Sequence, residues 1–200
     1  MTGLSKKQRL KINYFKEVAP KLAAEFDIKN KLAVPRVIKV VVNMGIGDTL
    51  KSKELLESAR KDMATITGQI PSTRAARVSV ASFSIRRGMP VGLKVTLRGD
   101  RMYAFLDRLF SIVLPRLRDF RGLTLKSFDK FGNYNLGVRE HTVFPEVSQG
   151  KNVSRGLEIT LVTNSNNKEK SKRLLELMGM PFEKVEDAEK DTKKNVKDGK

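Results

Sequence analysis

Between Asp62 and Asp100 the chain carries no acidic residue, while the same interval holds Arg74, Arg77, Arg86, Arg87, Lys94 and Arg98 with many Ser, Thr and Gln. A merely solvated surface mixes its charges. A surface that meets phosphates has reason to omit carboxylates, which would repel the partner and compete for the cations. Inside this interval, GLKVTLRG (92–99) alternates with period two, so Leu93, Val95 and Leu97 turn to one side and Lys94, Thr96 and Arg98 to the other. VSVASFSIRRGMP (78–90) places small residues, Phe83 and two adjacent arginines ahead of a Gly-Met-Pro turn. It reads as a projecting hairpin or loop, too basic for a core and too apolar for a linker. The chemistry is recognition rather than bond making. Basic side chains supply affinity and register on phosphate and sugar. Asn43, Gln69 and Thr96 are short, neutral and able to donate and accept, which suits 2′-hydroxyls and base edges.

Catalytic and metal readings fail on composition. There is no Cys, and His141 is the only histidine, so no zinc site of ordinary ligand type and no thiol nucleophile can be assembled. No G-x-S-x-G motif appears. MGIGD (44–48) invites a nucleotide-binding reading, but the third glycine of G-x-G-x-x-G would fall at Leu50, and no G-K-[ST] follows. The turn keeps its interest only as a place where free backbone N–H groups meet an anion. Carboxylate chemistry stays open from sequence, but the acids sit mostly on predicted helices beside Lys or Arg, as solvated faces do. The expectation is therefore no catalytic residue, no cofactor and no metal, with an enzyme acting on RNA as the rival.

Charge points the same way. Forty Lys and Arg against 22 Asp and Glu give a net +18 and a pI near 10.2. From Glu183 to Lys200 there are six basic and six acidic residues, so the body of the chain carries the whole excess. A polyanionic partner is the natural expectation. Structured RNA is preferred. DNA is less favoured because no helix-turn-helix, zinc-finger or basic-zipper signature is present, and 6% aromatics provide no repeated single-strand stacking platform. No apolar run approaches the roughly 20 residues of a membrane span.

The elements that must position these residues follow from periodicity. Ile12, Phe15, Ala19, Leu22 and Phe26 recur at helical spacing, with Pro20 kinking or dividing the segment. RVIKVVVNM (36–44) predicts a strand with Ile38, Val40 and Val42 on one side and Val37, Lys39, Val41 and Asn43 on the other. Leu55, Ala59, Met63 and Ile66 line a helix capped by Asp48 or Thr49. Asp100 caps a helix striped with Met102, Phe105, Leu106, Leu109 and Val113. Residues 116–155 predict a long loop with short strands. LEITLVT (157–163) is a strand with Leu157, Ile159 and Leu161 inward, and a last helix carrying Leu174, Leu175 and Met178 stops at Gly179 before Pro181. The fold class is α+β: an antiparallel or mixed sheet, helices on one face, and the other face with its adjoining turns left for RNA.

These residues closely resemble the bacterial-type large-subunit ribosomal protein L five family, which binds 5S ribosomal RNA. The matching segments are VNMGIGD (42–48), ITGQIPSTRA (66–75), GMPVGLKVTLRGDRMYAFLDRL (88–109), LPRLRDFRGL (114–123), KSFDKFGNYNLGVREHTVFPE (126–146), RGLEITLVT (155–163) and LLELMGMPF (174–182). The resemblance implies that Asn43, Met44, Gln69 and Thr96 contact 5S RNA; Lys39, Lys94 and Arg98 complete the expected set on the same face. It implies that the loop around 77–87, with Arg77, Ser79, Ser82, Phe83, Arg86 and Arg87, reaches toward peptidyl-site tRNA. Large-subunit rRNA and a small-subunit protein are further implied partners, in a cytoplasmic, ribosome-bound protein. Where the family loop carries lysines around a Ser-Ile-Ala-Gly centre, this chain has Val78 and Ser84, with Ser82 in place of the glycine; Arg87 stands where a polar or acidic residue is common. The expected organisation is a basic extension over 1–12, one RNA-binding domain over 13–182, and a charged tail over 183–200.

Overall fold

A computed structural model describes residues 8–47, 52–118, 120–147 and 154–183. Its centre is a five-stranded sheet in the order β2-β3-β1-β5-β4, antiparallel throughout, with β1 Val37–Gly45, β2 Ser72–Ala75, β3 Pro90–Leu97, β4 Tyr134–Val138 and β5 Leu157–Thr163. Alternation decides the faces. Val40, Val42 and Met44 of β1, Leu93, Val95 and Leu97 of β3, and Leu157, Ile159 and Leu161 of β5 are all buried on one side. Burial of each such side chain gains about 1.5–3 kcal/mol, so that face has to be covered. Helices cover it: α1 Arg9–Asn13 and α2 Ala19–Glu25, α3 Lys53–Thr67, α4 Gly99–Arg108 and α5 Lys168–Leu177. The expected α+β layer structure is what the chain forms. At the start of β1 a bulge between Val37 and Lys39 reverses the expected sides: Val37 is buried and Ile38 is exposed.

The N-terminal helix runs unbroken through Pro20, and two features explain how. A wide π-type turn, Tyr14–Val18, joins α1 to α2. Pro20 sits in the first turn of α2 and has no N–H to offer, so the loosened ladder just before it loses little. The same arrangement recurs after α4, where the π-type turn Leu109–Val113 precedes Pro115. The wide turn also sets the buried stripe. Leu10, Tyr14, Val18 and Leu22 recur every four residues, a spacing that drifts around an ordinary helix and is rotated back by one wider turn. Phe15, expected inward, is 61% exposed. Because Leu10 is buried, packed structure begins before residue 13.

Caps also differ from the sequence reading. The N-cap position of α3 is Ser52; Asp48 and Thr49 lie outside the described residues. The N-cap position of α4 is Arg98, and Asp100 lies in its first turn, where it accepts from Lys11 Nζ at 2.6 Å. The charged tail from residue 184 onward also lies outside the described residues. Among the described residues no helix is long and apolar enough to cross a membrane, and no three His, Cys, Asp or Glu side chains cluster as metal ligands would.

Buried polar groups tie the layers together. Tyr14 Oη donates to Pro35 O at 2.9 Å, and burial pushes its phenol up to about 12; burial likewise lifts Tyr134 to about 12. His141 is fully buried, its Nδ1 accepting from the Arg155 N–H at 3.1 Å and its Nε2 facing Asp62 at 3.5 Å. The lone histidine is thus a strut between α3 and the chain entering β5. Thr163, Ser165 and Ser171 share hydroxyl hydrogen bonds where β5 meets α5, and Thr163 Oγ1 also donates to Gly132 O at 3.1 Å.

Gly132 (φ +77°) leaves no room for a Cβ, which would lie 2.5 Å from Ser171 Oγ and 2.8 Å from the Asn167 backbone oxygen. Gly132→Ala is expected to destabilise the fold by about 2–4 kcal/mol, read as a lowered urea midpoint. The tyrosines give a second expectation. Their folded-state pKa values lie above the ordinary 10, so the stability they hold is complete below pH 10 and is lost as pH rises toward 12. Replacing Tyr14 and Tyr134 together by Phe should flatten that alkaline limb in denaturant titrations; an unchanged limb would show that other groups produce it.

Candidate nucleic-acid interface

Among the described residues no helix lies over the second sheet face. Register places its residues in rows: Ser72, Lys94, Asn43, Glu158 and Gly137 form one row across all five strands. Thr96, Val41, Thr160 and Asn135 form the next row. Adjacent members of a row stand about 5 Å apart. Lys39, Asn43, Lys94 and Thr96 are half-buried at their stems, and Arg98 is exposed at the end of β3. One side of GLKVTLRG is therefore core, and the other lies on an uncovered sheet.

Gln69 reaches this neighbourhood by a different route. α3 ends on Gly68, whose left-handed φ of +67° lets its N–H bond Ala64 O at 2.8 Å. Thr67 Oγ1 then donates to Gln69 O at 3.0 Å and accepts from the Gln69 N–H at 3.3 Å. The TGQ turn so holds Gln69 half-buried where the chain enters β2, beside the row of Ser72 and Lys94. Met44 is the exception in the expected set. Its side chain is fully buried among the core residues, so only its backbone is near the uncovered face.

The distribution of ion pairs matters more than any single cation. Arg9 pairs with Asp107 at 2.7 Å, Lys11 with Asp100 at 2.6 Å, Arg173 with Glu25 at 2.8 Å, and Arg108 with Glu146. These pairs lie on the helices and their connections. Among the described residues, Lys39, Lys94, Arg98, Arg74, Arg77, Arg86 and Arg87 enter no ion pair.

The 76–89 segment is an ordered hairpin extending β2 and β3. Val80 and Ile85 exchange backbone hydrogen bonds of 2.9 and 3.1 Å around a tight turn, Ala81–Phe83, and Ala76 bonds both Met89 and Gly88. Ser84, at φ +54°, ends the turn. Arg77, Ser82, Arg86 and Arg87 flank or form the hairpin's outer surface, and Phe83 at the tip is 72% exposed. Ser79 is exposed as well, and its Oγ braces the hairpin by accepting from the Arg87 N–H at 3.0 Å. Because β2 and β3 carry both the hairpin and Lys94, Thr96 and Arg98, the tip and the sheet face are two ends of one cationic strip.

Sequence reasoning missed Glu158. Its carboxylate stands in the row of Lys94 and Asn43 and accepts from Asn43 Nδ2 at 3.3 Å. The signal was present in LEITLVT, whose outward positions are Glu158, Thr160 and Val162. Beside it, Thr160 Oγ1 donates to Asn135 Oδ1 at 2.8 Å. The outward positions within β5 and β4 are thus neutral or acidic, with exposed Arg139 just past the end of β4, and the cations within strands belong to β2, β3 and β1.

Comparison with known proteins gives this geometry a family. Residues 30–86 match the family described as ribosomal protein L5, and residues 90–182 match the model of the same family's C-terminus. The large ribosomal subunit protein uL5 of Rubrobacter xylanophilus is 54% identical over 175 residues, covering 87% of this chain and 97% of the relative. That of Chloroflexus aurantiacus is 53% identical over 175 residues with the same coverage. That of Dictyoglomus turgidum is 50% identical over 176 residues, covering 88% and 98%. On these matches over nearly its whole folded length, the chain belongs to the ribosomal protein L5 family.

Proposed function

We propose that this chain anchors 5S ribosomal RNA in the central protuberance of the large ribosomal subunit, through the uncovered face of β2, β3 and β1. Family membership makes it a structural, non-enzymatic ribosome component. In the finer reading, Lys39, Lys94 and Arg98 neutralise phosphates while Asn43, Gln69 and Thr96 set register on ribose and base edges. The 77–87 hairpin, with Arg77, Ser82, Phe83, Arg86 and Arg87 outward, reaches peptidyl-site tRNA, and a small-subunit protein meets the same protein across the subunit interface. The observation that carries the reading is a strip of cations on a sheet face that, among the described residues, no helix covers and no ion pair occupies. The mechanism is preorganised docking: the helices hold the sheet rigid, so the strand residues meet RNA already in place.

A basic module without preference would bind any RNA through the same charges. Competition with bulk tRNA separates the two, because a nonspecific binder shows no preference for 5S RNA. Thr96→Leu is expected to weaken 5S binding about tenfold in a gel-shift titration, the loss of roughly one hydrogen bond, with the thermal midpoint unchanged. Equal affinity for wild type and variant would remove Thr96 from the interface. Arg98→Ala should reduce the log-log salt slope of 5S binding by about 0.7–0.9, the counterion release of one phosphate. An unaltered slope would mean that Arg98 faces solvent in the complex.

A further inference from the structure

We infer that the acidic stretch 183–191 docks on the exposed cations of residues 116–130 as their internal counterion, an autoinhibitory contact that a competing polyanion must displace. Arg116, Arg118, Arg121, Lys126 and Lys130 are all exposed, and none enters an ion pair among the described residues. Asp129, in the same segment, is engaged in its own turn. It accepts from Phe131 N–H at 2.9 Å and from Asn133 N–H and Nδ2 at 2.7 Å each. Asp119 lies outside the described residues.

The chain leaves the fold against these cations. The Phe182 ring lies 5.9 Å from Phe128 and 5.8 Å from Tyr134. Leu123 N–H donates to Pro181 O at 2.9 Å, and Glu183 N–H donates to Leu123 O at 3.1 Å. Glu183 passes Gly122 so closely that a Cβ there would lie 2.6 Å from its backbone nitrogen. The exit point is therefore fixed. Steps of 3.8 Å per residue put the Cα atoms of Arg121 and Lys126 within about 8 and 11 Å of Leu123. Lys130 follows Phe128 by two residues, and eight extended residues from 184 span about 26 Å, so the segment is within reach.

Charge order completes the argument. Residues 183–191 (EKVEDAEKD) carry five acids and two lysines, whereas residues 192–200 carry four lysines and one acid. The tail is neutral only because its halves oppose, and the acidic half is the one next to the exit point. These residues follow the shared family domain, whose match ends at residue 182. Each exposed ion pair is weak, but several on one tether form without a search through solution. Such a contact is screened by salt and yields to a dense polyanion, so it closes the surface to dispersed anions alone.

The test uses the full chain and heparin as the polyanion. Replacing Glu186, Asp187, Glu189 and Asp191 by their amides should tighten heparin binding at low salt by about threefold to tenfold, a gain that fades as salt rises. In a chain whose Arg116, Arg118, Arg121, Lys126 and Lys130 are all changed to Gln, the same replacements should gain less than about twofold, the non-additivity of groups in contact. Equal gains in both backgrounds would mean that the acids act only through net charge, which overturns the inference. Circular dichroism melts establish that each variant folds, and the pair Lys126→Gln/Lys130→Gln replaces the fivefold variant if that one does not. Zero-length carbodiimide cross-linking of the wild-type monomer should join residues 186–191 to Lys126 or Lys130. The absence of that link, or links only to Lys193, Lys194 and Lys197 or to Lys39 and Lys94, overturns it as well. Neither measurement involves 5S RNA, so the sheet-face reading stands or falls separately.

Discussion

Strand β1 is hydrogen-bonded on both sides, to β3 and to β5, and its register with each fixes which way every side chain of the sheet points. A slip of one residue in either pairing would carry Lys39, Val41 and Asn43 under the helices and lift Val40, Val42 and Met44 into solvent. The helices cannot tolerate that exchange, because Ala59, Met63, Phe105, Leu106 and Leu174 are fully buried and need an apolar floor. The same core that stabilises the protein therefore holds the candidate recognition residues outward. Stability and recognition share one constraint.

Charge is distributed on the same principle. Exposed ion pairs contribute about 0–1 kcal/mol to a fold, so a surface that lacks carboxylates loses little stability. It gains unpaired cations. Here carboxylates meet guanidinium and ammonium groups between α1 and α4 and between α2 and α5, whereas the β2–β3–β1 face and the hairpin keep their cations free among the described residues. The net +18 is tolerable in isolation and becomes favourable once a polyanion releases its counterions.

Much of this was legible from residue types and spacing because periodicity survives translation into structure. The stripe Met102, Phe105, Leu106, Leu109 and Val113 is buried throughout, and the β3 alternation divides core from open face. Where sequence and structure part, a local rule yields to something nonlocal. An ideal helical period turns Phe15 inward, whereas the π-type turn rotates the stripe onto Tyr14 and Val18. Asp100 has the chemistry of an N-cap, yet it sits inside the first turn and meets Lys11 instead. The side that Ile38 takes depends on a bulge that only the pairing of β1 with β5 reveals. Met44 joins Asn43 by adjacency along the chain, which in a strand puts two residues on opposite faces.

Glu158 bears on the proposed RNA contact more than its sign suggests. By accepting from Asn43 Nδ2 it uses a donor of that amide and turns Oδ1 toward the β3 side, where Lys94 stands next in the row. An Asn held in this way still offers one acceptor and its second amide N–H, a pairing that suits a 2′-hydroxyl or a base edge better than a bare phosphate oxygen, which could use only the donor. The carboxylate also disfavours a phosphate passing over β5. In the proposed docking, Glu158 thus orients the Asn43 amide and marks where a backbone meeting Lys94 and Arg98 would turn away. Specificity on such a face comes from two neutral or acidic groups placed among cations, because the cations alone would accept any strand that carried phosphates.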